Sequence, residues 1–470
     1  MLVSRSLKSI GAELETEDRD VNYITDNSEN CRENCIFVCH EGAERFASSA
    51  IEKGAVCVVA KKKITENTVI VNDTRKAYSL LCAEFFSHSY KKLRLIGVTG
   101  TNGKTTVSSM LYHILSASGR KCALLGTAGY LRCEEESSAS LTTPDPFLMH
   151  KMFYEMTQCG TEFCVMEASS QGLFQERLYP LSFEIGIFTN LTADHLDYHG
   201  DMESYRKAKE KLMKMSRISV INADDENCES FINASEGEVI TYSLKKDEAD
   251  FTAKYIRFFE GITDYVIVGN ELIHRVKLQT PGNYNIYNSM AALVASLRCG
   301  LSLEESANAL RSFYGVRGRF EILPLKTDYK VIIDYAHTPD SLKQVLLTLL
   351  SFPKNKLITL FGCGGDRDKS KRGEMGRIAA EYSDEVIITS DNPRTENPSE
   401  IIEDILSGTD RAKTPVYIIE NRKKAIEYAM QKAQKNDIIL LAGKGHETYQ
   451  IIGDEKIPFD ERKIVADFLS

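Results

Sequence analysis

The stretch LRLIGVTGTNGKTT, an apolar strand running into a glycine-rich turn and then a helix, constrains this chain more than any other segment. A strand that ends in such a turn aims backbone N–H groups and a helix N-terminus at an anion, as a phosphate loop requires. The strand is expected at 93–98 and the helix at about 105–118. Gly100 and Gly103 are the loop glycines, Lys104 would neutralise the β and γ phosphates, and the Thr105 hydroxyl would hold Mg²⁺. Thr101, Asn102 and Thr106 complete the loop. The strict spacing G-x4-G-K-[ST] asks for glycine where the chain has Val98, so the loop is a variant. An ordinary tight turn with a surface lysine is the competing reading, and it leaves the match at every other position unexplained.

The rest of the chain alternates in the same way. With 470 residues it is too long for one ordinary core, and three α/β domains are expected. A small N-terminal α/β domain covers 1–90, with strands CIFVC, AVCVVA and TVIV around a helix at 44–53, then an amphipathic helix in DTRKAYSLLCAEFFSHSY. A central P-loop domain built on a parallel sheet covers 91–320, with strands FCVME, EIGIFTN and ISVIN and a β-patterned segment at 236–280. A C-terminal Rossmann-like doubly wound domain covers 321–470, with strands in KVIIDYAHTP, KLITLFGCGG, EVIITSDNPR, PVYII and DIILLAGKGHE. The polar motifs follow the strands, where doubly wound sheets bind their ligands.

Composition narrows the partners. Hydrophobic residues make up 43% and charged residues 27%, and no apolar run approaches membrane-spanning length. A net charge of −9 without a dense basic run argues against a nucleic-acid face and for small-molecule partners. The opening MLVSRSLKSI has no apolar core of signal-peptide length, and with twelve scattered cysteines this points to a reducing cytoplasm without disulfides. Cys31, Cys35, Cys39 and His40 could suggest zinc, but the spacing lacks a C-x2-C pair, and CIFVC reads as a buried strand.

Several residues at strand ends carry chemistry. Glu167 closes FCVME and is placed as a metal carboxylate, with a turn-capping carboxylate as the plain alternative. His195 follows FTNLTAD among Asp194, Asp197 and His199, an unusually polar loop. Lys209, in YRKAKEKLM, reads from sequence alone as a solvated helix lysine.

The loop TGTNGKTT is similar to the nucleotide loop of the Mur ligase superfamily. Further matches run in order from about 95 to 465: LTTPDP, MEASSQGL, NLTADHLDYHGDMESYRKAK, PGNYNIYN, GRFE, DYAHTPDSL, FGCGGDRDKSKRGEMG, SDNPRTENP and LAGKGHETYQ. Together they resemble the MurE group, ligases that add the third amino acid of the peptidoglycan stem to a UDP-N-acetylmuramoyl dipeptide. That resemblance implies an ATP- and Mg²⁺-dependent ligase that activates a carboxylate as an acyl phosphate; a monomer is expected beside it. It makes Lys104, Glu167, His195 and Lys209 the catalytic set, with Lys209 carried as a carbamate (N6-carboxylysine) and Thr105, Glu167 and His195 holding the metal. It assigns Asn288, Arg319 and Asp334 to ATP, Asp334 through the ribose hydroxyls. It gives Ser28, Thr142, Thr143, Ser169, Gln175 and Arg177 to the UDP substrate. Arg367, Asp391, Asn392, Pro393, Arg394, Gly443 and Glu447 fall to the incoming amino acid, which Arg394 in DNPR marks as meso-diaminopimelate.

Two departures stand out. The family's uridine-binding DSR corresponds to Asn27, Ser28 and Glu29, which removes a cation from a diphosphate site, and Gln171 stands where the family often has histidine. Three alternatives follow: a ligase of this type adding L-lysine or another amino acid, a paralogue acting on a different carboxylate, and a nucleotide-dependent binding protein without catalysis. Retention of Lys104, Glu167, His195 and Lys209 together speaks against the last.

Overall fold

The computed structural model describes residues 1–13, 18–259, 261–409 and 413–470. Three sheets organise them, in the mixed α/β, three-domain arrangement expected. Near the N-terminus four parallel strands run in the order Tyr23–Thr25, Cys35–Val38, Ala55–Ala60, Thr68–Ile70. Cys35–Val38 is buried at every position, as the reading of CIFVC as a core strand requires. The helix expected at 44–53 begins as a 3₁₀ turn, Glu44–Phe46, and becomes α-helical only over Ala47–Glu52. Tyr23–Thr25 was not anticipated, because three residues carry no readable alternation.

The central sheet has eleven strands. An inner strand, Arg94–Thr99, is almost wholly buried and lies parallel between Phe163–Glu167 and Phe183–Phe188, which explains its unbroken apolar run. The β-patterned segment after 236 forms Glu238–Ser243, Phe251–Phe259, Ile262–Gly269 and Leu272–Leu278, extending one edge of the sheet. Helices Lys104–Ala117 and Asn283–Arg298 share one core on one face through Val107, Met110, Leu111 and Met290. Pro146–Gln158 and Met202–Lys214 share another through Met152, Phe153, Leu212 and Met213.

In the third sheet Lys330–Asp334, Ile438–Ala442, Leu357–Phe361, Glu385–Ile388 and Val416–Ile418 are parallel neighbours in that order, with Glu321–Ile322 antiparallel at the edge. The motifs DYAH, GCGGDR, DNPR and GKGHE leave the carboxyl ends of four of these strands, so the topology gathers them on one rim. A hairpin, Tyr449–Ile452 with Glu455–Pro458, lies outside the expected pattern.

One expectation is overturned. Cys133 and Cys159 are joined as a disulfide, with Cα atoms 5.8 Å apart, although the scattered cysteines read as unpaired. The hairpin of Gly129–Arg132 and Glu135–Ser137 folds against the end of the helix Pro146–Gln158, and a sequence separation of 26 hides that approach. Among the described residues no helix is long and apolar enough to cross a membrane.

The helix Met202–Lys214 is seated on the central sheet by a glycine. A Cβ at Gly97 would lie 2.6 Å from Leu212 Cδ1 and 3.1 Å from the Phe183 ring, inside a filled core. Gly97→Val is therefore expected to destabilise the protein by about 1–3 kcal/mol in urea unfolding. Unchanged stability would contradict this seating.

Candidate functional site

The phosphate loop spans the turn between Arg94–Thr99 and the helix that begins at Lys104. Gly100 has φ +145°, and a Cβ there would lie 1.9 Å from Thr189 Oγ1, so the loop can approach the neighbouring strand exit only with glycine. The Asn102 N–H donates to Asn190 Oδ1 at 2.9 Å and the Thr189 hydroxyl to Asn102 O at 2.7 Å, which fixes the loop from the FTN segment.

Two lysines meet at one loop carbonyl. Lys104 Nζ donates to Gly100 O and Thr101 O at 2.9 Å each, and Lys209 Nζ donates to Gly100 O at 2.7 Å. Lys209 is 1% exposed and lies over the Tyr205 ring at 4.5 Å. Burial pushes its ammonium well below the usual lysine range; the Lys104 charge adds to this and Asp194 opposes it. Burial lowers Lys104 as well, against the support of Glu167.

Glu167 is 1% exposed and surrounded by donors. Its Oε1 accepts from Thr127 N at 2.7 Å, and its Oε2 from Thr127 Oγ1 at 3.1 Å and Thr105 Oγ1 at 3.2 Å. Thr105 and Glu167 therefore form the pairing that a phosphate-bound Mg²⁺ uses, one carboxylate and one hydroxyl, with remaining positions left to phosphate and water. Among the described residues no three His, Cys, Asp or Glu side chains group into a metal cluster. His195 is not in contact with this pair. It has φ +55° and its Nε2 lies 3.4 Å from Asp194 Oδ2. Burial lowers its pKa and Asp194 opposes the shift.

Thr142, Thr143, Ser169, Gln175 and Arg177 adjoin Glu167 in one network. Thr142 Oγ1 lies 3.0 Å from Thr127 Oγ1, and Thr143 Oγ1 donates to Glu167 O at 2.8 Å and lies 2.9 Å from Ser169 Oγ. Arg177 donates to Thr143 O and, through Nε, to Gln175 Oε1, both at 2.9 Å. Ser28 is not part of it: Ser28 begins the 3₁₀ turn Ser28–Asn30 of the N-terminal unit and accepts at its carbonyl from Lys53 Nζ at 3.0 Å.

A cavity of about 270 Å³ opens beside the loop, lined by Asn102, Gly103, Thr106, Asn288, Arg319 and Asp334, with Tyr284 and Tyr287. The third sheet's unit closes on the loop here. Arg319 Nη2 donates to Thr105 Oγ1 at 3.2 Å, Asn102 Nδ2 donates to Asp340 Oδ2 at 3.1 Å, and the Arg319 guanidinium lies 4.5 Å over the Tyr335 ring. Asp334 lines the cavity and accepts from Phe320 N at 2.6 Å and Ala336 N at 2.7 Å, which braces the turn entering it.

A second cavity, about 170 Å³, is lined by Arg367, Asp391, Asn392, Arg394, Gly443 and Glu447, all from the amino-acid set, and by Asp194, His195, Tyr335, His337 and Lys371. Arg394 has φ +53° and donates from Nη1 to Gly365 O at 2.7 Å. Asn392 Nδ2 donates to Glu447 Oε2 at 2.9 Å, while Lys444 Nζ and Ile451 N donate to Asn392 Oδ1 at 3.1 and 3.0 Å. Pro393 is buried and does not line the cavity. The sequence reading missed Thr127, Lys371 and the Ile451 hairpin, and it left His337 without a role. His337 Nδ1 lies 2.8 Å from Tyr335 O and Nε2 4.0 Å from Asp194 Oδ2; burial brings its pKa to about 4. Burial raises Asp194, but His337, His195 and Lys371 outweigh it and hold the carboxyl at about 2.

A phosphate loop facing a second, doubly wound unit across a cleft of this kind defines a class, and the comparisons agree. The chain belongs to the Mur ligase family: residues 98–296 match the Mur ligase middle domain and residues 318–445 the Mur ligase glutamate ligase domain. It is 44% identical to UDP-N-acetylmuramoyl-L-alanyl-D-glutamate--2,6-diaminopimelate ligase 1 of Clostridium acetobutylicum, over 98% of this chain and 96% of that one. It is 41% identical to the ligase of the same name, without the number, from Clostridium tetani, over 96% of this chain and 95% of the relative. A solved structure of a UDP-N-acetylmuramoyl-L-alanyl-D-glutamate--2,6-diaminopimelate ligase superposes with TM-score 0.72 at 31% identity, covering 100% of this chain and 99% of the other.

Proposed function

We propose that this chain joins meso-2,6-diaminopimelate to the D-glutamyl side-chain carboxylate of UDP-N-acetylmuramoyl-L-alanyl-D-glutamate in peptidoglycan synthesis, converting ATP to ADP and phosphate. The observation that carries it is the convergence of the phosphate-loop centre and the cavity of Arg367, Asp391, Asn392, Arg394, Gly443 and Glu447 on one cleft, with Asp194 lining that cavity within the field of Lys104. Relatives that match this chain along nearly its whole length carry the same activity in their names.

The chemistry follows from charge. An oxygen of the acceptor carboxylate attacks the γ phosphorus, the new O–P bond forms, and the β–γ bridging bond breaks with its electron pair leaving on ADP. The amine, having lost a proton, then attacks the acyl carbon, and the C–O bond to phosphate breaks. Two anions must first approach, and in a poorly screened cleft their repulsion is on the order of several kcal/mol. Lys104 and Arg319 offset it from the two sides of the loop. Thr105 and Glu167, with His195, would hold Mg²⁺, which when bound neutralises phosphate charge. Asn288 and Asp334 shape the nucleotide cavity, and Gly100, Thr101, Asn102, Gly103 and Thr106 wrap the phosphates. Ser28, Thr142, Thr143, Ser169, Gln175 and Arg177 take the UDP substrate. Units bounded near 90 and 320, a monomeric state, small-molecule substrates and a cytoplasmic location belong to the same reading.

Lys209 as a carbamate fits its surroundings, because burial disfavours its ammonium and addition of the amine to carbon dioxide would replace that cation with a carboxylate. Lys209→Ala is expected to be strongly impaired and partly rescued by short carboxylic acids in an ADP-release assay. A fully active Lys209→Ala without additive would remove this role.

A different acceptor carboxylate is the second reading. Glu29 favours it, since an exposed glutamate stands where a diphosphate would meet a cation.

Arg394 governs the choice of amino acid. Diaminopimelate has a far carboxylate that lysine lacks, and a guanidinium already fixed through Gly365 O can bind it with little further ordering. Charge-assisted bonds contribute roughly 1.5–3 kcal/mol each, so kcat/KM for meso-diaminopimelate should exceed that for L-lysine by about a hundredfold or more. Arg394→Ala should collapse the ratio. A wild type that prefers lysine, or a mutant that keeps the wild-type ratio, would overturn the specificity.

A further inference from the structure

Lys371 is a cation to which the reaction above gives no task. It stands in the first turn of the helix Ser370–Tyr382 and lines the second cavity beside Asp194, His195 and His337. Its basic neighbours are occupied otherwise. Lys369 pairs with Glu396 at 3.1 Å, and Arg372, 1% exposed at its side chain, pairs with Glu396 and Asp404 at 2.9 and 2.8 Å. Arg367 spends Nη1 on the Asp366 carbonyl at 3.1 Å. Among the described residues Lys371 has neither a hydrogen bond nor an ion pair, although its field is felt at Asp194, His337 and Cys363.

Helix energetics do not account for it. A cation in the first turn opposes the helix macrodipole, and an ammonium left unpaired at a cleft favours binding an anion there. Within the lining, Asn392 and Glu447 are hydrogen-bonded to each other at 2.9 Å, while Asp194 feels the charges of His337, His195 and Lys371. Asp194 links this second group to the phosphate loop, because its charge also acts on Lys104, behind the larger effects of burial, Glu167 and Arg319. The anion that must appear between Lys104 and this cavity is the phosphoryl group in transit from ATP to the acceptor carboxylate.

We propose that Lys371 contacts that transferred phosphoryl group from the C-terminal unit, opposite Lys104, and stabilises the phosphate as the acyl C–O bond breaks and the amine takes its place. This rests on the ligase reading above. Lys371 is then a catalytic residue, and the near carboxylate of the amino acid is left to Arg367.

The test is steady-state kinetics of full-length Lys371→Ala and Lys371→Arg with ATP, Mg²⁺, the UDP-dipeptide and meso-diaminopimelate, after ADP titration and thermal melts show that both fold. In Lys371→Ala, kcat should fall about a hundredfold or more while the KM for diaminopimelate stays within about threefold, and arginine should recover about tenfold. A KM raised about tenfold or more with kcat retained would make Lys371 a carboxylate contact for the amino acid and overturn the proposal. A kcat within about threefold of wild type would overturn it too. A wild type that works only on another acceptor refutes the function proposed above and leaves this comparison intact, since the same kcat ratio is read with the acceptor that works. A wild type inert toward every carboxylate overturns both.

Discussion

Lys104 and Lys209 both direct their amines at the carbonyl oxygen of Gly100, at 2.9 and 2.7 Å. Two ammonium groups that share one carbonyl oxygen repel each other in a weakly screened site, which disfavours charge on both and favours anions nearby. Burial disfavours both ammonium groups: Lys209 is pushed well below the lysine range with Asp194 opposing, while Lys104 is lowered against the support of both Glu167 and Asp194. Much of the site can be read as a response to that crowding. Glu167, Asp194 and an incoming triphosphate bring the negative charge, and Arg319 reaches the start of the loop helix through the Thr105 hydroxyl.

The two-unit architecture turns this local problem into a device for catalysis. The phosphate loop belongs to the central sheet, while Arg319, Asp340, His337 and Lys371 come from the segment that builds the third sheet, and Asn102–Asp340 and Arg319–Thr105 tie the two together. Groups that must act on one phosphoryl transfer are thereby held on separate rigid elements, so docking of the units assembles the site and keeps water from the activated acyl group. Within the C-terminal unit the hairpin 449–458 fixes the DNPR turn, where Ile451 N donates to Asn392 Oδ1 and Arg394 N donates to Ile451 O at 3.1 Å.

Much of this was legible in the sequence, for physical reasons that differ by element. Arg94–Thr99, Phe163–Glu167 and Ile438–Ala442 were readable because a strand buried on both faces must be apolar throughout, and their polar sequels marked the ligand-binding rim. The residues that the resemblance gives to the amino acid line one cavity, Pro393 excepted. Lys209 read as solvated because KAKEKLMK is charge-rich. Yet Tyr205, Ala208, Lys209, Leu212 and Met213 are the buried residues of one helical stripe at i, i+3, i+4, i+7 and i+8, a pattern that puts this lysine on the core face. Thr127, Lys371 and the Cys133–Cys159 bond were not readable, since each depends on segments distant in sequence meeting in space. Asp334 was legible as a site residue, but its occupation by two backbone N–H groups was not.

The account stands or falls on the acyl phosphate, for which the crowded cations of the loop and the cleft are arranged. Oxygen-isotope transfer reads it directly. With the D-glutamyl side-chain carboxylate of the UDP-dipeptide labelled with oxygen-18, each amide formed should deliver one labelled oxygen into inorganic phosphate, alongside ADP. Unlabelled phosphate, or AMP and pyrophosphate as products, would contradict it.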